Sequence, residues 1–184
     1  TNSDLLYACT EGVERNGNPT NVCLLFYHML AKLELAIKLH SETPALAETN
    51  AVTLGNDNII KEGKFTPSTT ATLTNQTERA AMLANTSMSS TTVQLGQLIT
   101  PDFESSTILY NEAILVPQDM SGKEIIFTLS NGNKLKYTIP ENTIFESGKK
   151  YQYQITVNLN ELQVTSAIVD WEPVTPVEGI AHIE

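Results

Sequence analysis

The side chains able to do chemistry in this chain are few and scattered. Three histidines, His28, His40 and His182, could ligate a metal, but none has a second histidine or a carboxylate at ligand spacing. His28 shares its parity with Phe26 and Leu30, which suits a hydrogen-bonded histidine in a core or interface better than a metal ligand. Cys9 and Cys23 could form a disulfide in an oxidising compartment or remain free thiols. Cys23 opens the apolar run Cys23-Leu24-Leu25-Phe26, where a free buried thiol acting as a small hydrophobe is the simpler reading. Asn56-Asp57-Asn58 could offer oxygens to Ca²⁺, but the same residues make an ordinary turn. Trp171 could stack on a sugar, yet after alternating segments it suits a core plug or a strand-end anchor. The sequons at Asn75 and Asn85 matter only in a eukaryotic secretory pathway. No hydrolase elbow, zinc-protease helix, phosphate loop, dinucleotide fingerprint or EF-hand loop is present. No catalytic, cofactor-binding or metal-ligating residue is therefore assigned, and the chain reads as non-enzymatic.

Composition narrows the partners. A formal charge of −10 and an isoelectric point near 4.7 argue against nucleic acid, whose backbone needs a basic footprint. No apolar stretch is long enough to span a membrane, and no basic amphipathic segment suits an anionic lipid surface, so no membrane contact is expected of this piece itself. With 184 residues and 41% hydrophobic side chains, the chain can bury a core as one large or two small domains.

The elements that must hold these residues are strands. From Tyr151 to Leu159 every odd position is apolar and every even one polar, a strand with one buried and one wet face. Leu162, Val164 and Ile168 continue the apolar set in the opposite parity. A reversal at Asn160-Glu161 would pair Leu159 with Leu162, Val157 with Val164 and Tyr153 with Ile168. A second hairpin spans Glu124–Leu129 and Lys134–Ile139. A loop of Asn131 to Asn133 there would pair Leu129 with Leu135, Phe127 with Tyr137 and Ile125 with Ile139. From Val22 to Leu39, Phe26, His28 and Leu30 share one parity and Leu33, Leu35, Ile37 and Leu39 the other, which predicts a long strand with a bulge near Ala31-Lys32. Residues 65–92, rich in Thr, Ser, Asn and Ala, read as short strands with long loops, and a further strand runs from Thr107 to Pro117. The class is all-β, a sandwich.

In chain order, several segments resemble the fimbrillin family of Bacteroidales surface proteins, the Mfa-like fimbrillins. These are Asp4-Leu5-Leu6-Tyr7-Ala8; the F-x-H-x-L-A-K-L run from Phe26 to Leu33; Gly63-Lys64-Phe65; Ala113-Ile114-Leu115-Val116-Pro117; and Gly148-x-x-Tyr151-x-Tyr153 leading to Ile168-x-Asp170-Trp171.

The resemblance implies transthyretin-like β-sandwich domains, export as a lipoprotein, and assembly into or onto type V fimbriae. It also implies that a protease removes an N-terminal strand and that the next subunit fills the emptied groove with a donor strand, a form of strand addition. On that scheme residues 1–22 are the remnant of an N-terminal β domain or a linker, 23–172 the C-terminal β-sandwich, and 173–184 a tail. The lipobox and cleavage site are expected upstream of Thr1; Cys9 does not suit the lipobox. Val177, Ile180 and Ile183 are the candidate donor-strand residues, although Pro173, Pro176 and poor alternation equally suit a loose terminus. The expected partners are other fimbrial subunits, at the surface of a Gram-negative cell, in a fimbria or the outer membrane. No cofactor is implied. An adhesin binding host glycan or protein through its loops is the alternative reading.

Overall fold

The computed structural model describes residues 4–9, 24–40, 42–48, 51–85, 91–94, 108–158 and 162–171. The alternating segments form strands, and each parity decides which side chains enter the core. In chain order the strands are β1 (Leu6–Tyr7), β2 (Tyr27–His28), β3 (Ala31–Leu39), β4 (Val52–Ile59), β5 (Gly63–Phe65), β6 (Leu83–Asn85), β7 (Thr91–Gln94) and β8 (Ile108–Leu115), then β9 (Gln118–Asp119), β10 (Glu124–Thr128), β11 (Lys134–Thr138), β12 (Ile144–Phe145), β13 (Lys149–Val157) and β14 (Leu162–Asp170). A short helix, α1 (Gln76–Ala81), separates β5 from β6. The class is all-β.

Two four-stranded sheets carry the body, one ordered β14-β13-β3-β8 and the other β11-β10-β4-β7. In the first, Ala31, Leu33, Leu35 and Ile37 of β3 face inward at 0% exposure, beside Tyr151, Tyr153, Ile155 and Val157 of β13. Val52, Leu54, Ile125 and Phe127 of the second sheet join the same core. Complete burial of each such aliphatic side chain contributes about 1.5–3 kcal/mol. Aromatic contacts add to it: the Phe145 and Tyr151 rings stack at 3.8 Å, and Tyr137 meets Tyr153 edge-on at 5.8 Å. β13 and β3 run parallel, a pairing that needs a long crossover, and the chain between them supplies the whole second sheet.

Both hairpins keep the predicted faces but shift register by two residues. In β13–β14, Val157 pairs with Leu162, Ile155 with Val164 and Tyr151 with Ile168. Leu162 and Val164 pack on the core, while Ile168, on the edge strand, is 63% exposed. In β10–β11, Phe127 pairs with Leu135 and Ile125 with Tyr137. The loop is three residues long as expected, but it comprises Ser130, Asn131 and Gly132, closed by the Leu129 N–H on the Asn133 carbonyl at 2.8 Å. Such a loop needs a positive φ at its third position, and Gly132 supplies it at +85°.

Three further expectations are corrected. The long strand from Val22 to Leu39 is two strands in different sheets, β2 and β3, rather than one with a bulge near Ala31-Lys32. His28 and Met29 are consecutive buried residues: the chain leaves a small cluster of Met29, Leu73 and Met82 and enters the main core at Ala31. The turn expected at Asn56-Asp57-Asn58 lies inside β4, whose register against β7 shifts between Leu54 and Ile59; residues that favour turns also favour bulges. Residues 65–92 hold short strands but also α1. Its cap is legible afterwards: Asn75 Oδ1 accepts from the Thr77 and Glu78 amides, and Asn75 Nδ2 donates back to Glu78 Oε1 at 2.9 Å.

Candidate functional site

The segments carrying the resemblance lie far apart in sequence, and most of them meet at one corner of the fold. The β1–β2 ribbon sits there, pairing Leu6 with His28 and Tyr7 with Tyr27, with the Met29 amide donating to the Leu5 carbonyl at 2.9 Å. Tyr7 packs edge-on against Phe65 of the Gly63-Lys64-Phe65 step, ring centroids 5.2 Å apart.

His28 is the hub. It is buried, and its Nδ1 lies 2.6 Å from Asp4 Oδ2. A carboxylate accepts, so the imidazole donates from Nδ1 and the pair ties the start of the described chain to β2. The opposite partner is Trp171, whose ring stacks on the imidazole at 3.8 Å and 8°. Lys32 Nζ lies 5.8 Å from the same indole, within cation–π range. The Trp171 amide donates to the Gly148 carbonyl, and the Gly148 amide to the Leu30 carbonyl, both at 2.9 Å. Lys149 and Asp170 pair across the same strand ends, and the Lys149 ammonium holds the Asp170 carboxyl below the usual carboxylate range. Trp171 is thus the strand-end anchor of the two roles expected for it.

Gly148 and Arg79 make the corner tight. Gly148 has a φ of +70°, and a Cβ there would lie 3.2 Å from both the His28 carbonyl oxygen and Arg79 Nη2. Arg79 is 9% exposed; its guanidinium donates to the Leu73 carbonyl at 2.8 Å and the Ser147 carbonyl at 3.3 Å, and lies over the Tyr27 ring at 5.6 Å. Burial pulls its pKa down from the usual arginine value. The sequence offered no signal for this residue, because its hydrogen bonds go to backbone carbonyls, one of them 68 residues away.

Other predicted residues fall elsewhere. Cys9 is a free thiol donating to the Thr69 carbonyl at 3.1 Å, and Cys23 lies outside the described residues. His182 and the candidate donor residues Val177, Ile180 and Ile183 also lie outside them. Among the described residues, no group of three or more His, Cys, Asp or Glu side chains is placed to hold a metal ion. No helix among them is long and apolar enough to cross a membrane.

The sheet edges complete the geometry. Among the described residues β14 and β8 flank one sheet, and β11 and β7 the other. Lys134 and Lys136 are exposed on β11, the usual protection of an edge. β14 is nine residues long, contains neither lysine nor proline, and exposes Ile168 and Val169.

The fold is similar to that of a known protein. Over 91% of its length, the chain superposes on a candidate cell adhesion protein from Bacteroides uniformis, with a TM-score of 0.56 and 18% identity, spanning 66% of that protein. A candidate cell adhesion protein from Bacteroides ovatus matches over 80% of this chain and 47% of its own length, at TM-score 0.49 and 20% identity. The tip fimbrial protein Mfa3 of Porphyromonas gingivalis matches over 79% of this chain and 52% of its own length, at TM-score 0.44 and 12% identity. The chain therefore spans two thirds or less of each of these proteins. No curated protein sequence matches it. The fimbrillin-like family model matches residues 1–171, from the ribbon to the Trp171 anchor, and the chain belongs to that family.

Proposed function

We propose that this chain is a non-catalytic subunit or tip component of a surface fimbria, assembled with other fimbrial subunits by strand addition on the surface of a Gram-negative cell. The observation that carries the reading is the family match over residues 1–171, in a fold whose matched segments build a structural corner. The long edge of β14, unpaired on one side among the described residues, supports it physically. Main-chain groups on such an edge pair readily with another strand, and alternate side chains set the register. On this reading residues 23–172 form a transthyretin-like sandwich, residues 1–22 are the remnant of an upstream β domain or a linker, and residues 173–184 are the donor tail with Val177, Ile180 and Ile183 as its apolar side chains. Export as a lipoprotein belongs to the same proposal.

The test compares the chain with a version lacking residues 173–184, each mixed with fimbrial subunits from the same cell. The full chain should enter oligomers that resist dissociation, and the shortened chain should not. A full chain that stays monomeric in the mixture, and is absent from sheared surface fimbriae, would refute the reading.

A further inference from the structure

The outer face of the β14-β13-β3-β8 sheet holds a cleft of about 440 Å³ that the assembly role does not use. Pairing fixes its layout. One row across the sheet runs Ala167, Gln152, Glu34 and Glu112; the next runs Thr165, Gln154, Ala36 and Tyr110. Ala36, a methyl group on a central strand, lies among long neighbours, so the face is hollow there. Tyr110, 44% exposed, stands beside it on the edge strand.

The chemistry of the lining selects an occupant. Lys32 Nζ lies 2.9 Å from both Glu34 and Glu112, and Lys150 Nζ lies 3.6 Å from Glu34, so these charges are already matched. Gln152 Nε2 donates to Glu34 Oε2 at 2.9 Å, which orients amide and carboxylate together. A charged ligand would have to break these pairs. A peptide strand finds no main-chain partner on this floor, because β3 and β13 are paired on both sides. A neutral polyhydroxyl ligand needs neither: planar amide and carboxylate groups bond hydroxyls, and an exposed phenol ring covers an apolar sugar face. The volume lies in the range of small-ligand clefts, about 300–1,000 Å³.

We infer that this cleft binds a neutral saccharide, with Ala36 as its floor, Tyr110 as its stacking platform, and Glu34, Gln152, Gln154 and Thr165 as its hydroxyl partners. The alternative adhesin reading placed sugar recognition on loops; this site is on a sheet face, and it holds whether or not the chain polymerises.

The experiment titrates the isotope-labelled 184-residue chain with methyl glycosides of glucose, galactose, mannose and N-acetylglucosamine, and with methyl glucuronide as the charged control. Amide shifts are followed by NMR. At least one neutral glycoside should move amides of residues 34–36, 110–112, 152–154 and 165–167 at millimolar concentration, and the glucuronide should bind at least tenfold more weakly. Tyr110→Ala and Ala36→Gln, both outward-facing, should each weaken binding at least tenfold while urea midpoints and incorporation into oligomers stay unchanged. The inference is overturned if no neutral glycoside moves these amides, if the glucuronide binds as well, or if both variants bind like the parent. It is also overturned if Ala36→Gln instead dissolves a dimer of the parent, since a second copy would then be the occupant. Failure to assemble with fimbrial subunits would count against the fimbrial reading alone.

Discussion

Replacing Gly148 by alanine probes the corner where the resembling segments meet. Two costs add. The first is conformational: at a φ of +70° a Cβ crowds the backbone by about 1–2 kcal/mol. The second is local: the new methyl would sit 3.2 Å from the His28 carbonyl oxygen and from Arg79 Nη2. The arginine tip can yield a little, but the His28 carbonyl belongs to the β1–β2 ribbon and moves only with it. Crowding of that kind costs about 1–3 kcal/mol. Gly148→Ala should therefore lose about 2–5 kcal/mol. Gly132→Ala is the internal control, since its φ is +85° and no atom lies within 4 Å of the added Cβ. It should lose only the conformational part, about 1–2 kcal/mol. Urea unfolding of both variants separates the costs. The single tryptophan, stacked on His28, reports the corner directly, and its emission should shift in Gly148→Ala but not in Gly132→Ala. Equal losses in the two variants, with unchanged tryptophan emission, would refute the close approach as the reason for glycine at 148.

Three further outcomes are expected. Asp4→Ala leaves the buried His28 Nδ1 without its acceptor and should cost about 1–3 kcal/mol in urea unfolding, while Asp4→Asn, whose amide oxygen still accepts, should lose less. Asn75→Ala removes the cap of α1, worth about 1 kcal/mol, and hydrogen exchange at the Thr77 and Glu78 amides should accelerate while β3 amides stay protected. Acid should destabilise the chain through Glu34 and Asp170. Burial pushes the Glu34 carboxyl up, but hydrogen bonds from Gln152 and Lys32 and the lysine charges outweigh it, and Lys149 lowers Asp170. Both folded values lie below the unfolded ones, so their stabilisation is present above about pH 4 and is lost as pH falls through the folded values. Urea midpoints should hold from neutral pH to about pH 5 and then decline, less steeply in Glu34→Gln; an identical acid limb in that variant would contradict the assignment.

Much of the corner was visible in the sequence as separate pieces. His28 read as a satisfied histidine, and it is buried and paired, but its partner stands 24 residues away in a segment with no ligand pattern. Arg79 was illegible, since its bonds go to backbone carbonyls of Leu73 and Ser147 that no side-chain pattern marks. The helix was legible in Asn75 and Glu78 but hidden by the polar composition around it.

The sequence alone determined parity: the odd positions from Tyr151 to Val157 are buried as the alternation requires, as are Leu33, Leu35 and Ile37. It could not determine register, because a period of two is unchanged when a strand slides by two residues. Both hairpins made that slide, one to place Gly132 where its loop needs a positive φ. Nor could any local pattern bring Asp4, His28, Gly148 and Trp171 together. That meeting depends on a ribbon, a parallel crossover and an edge strand packing on one core, and only the tertiary structure decides it.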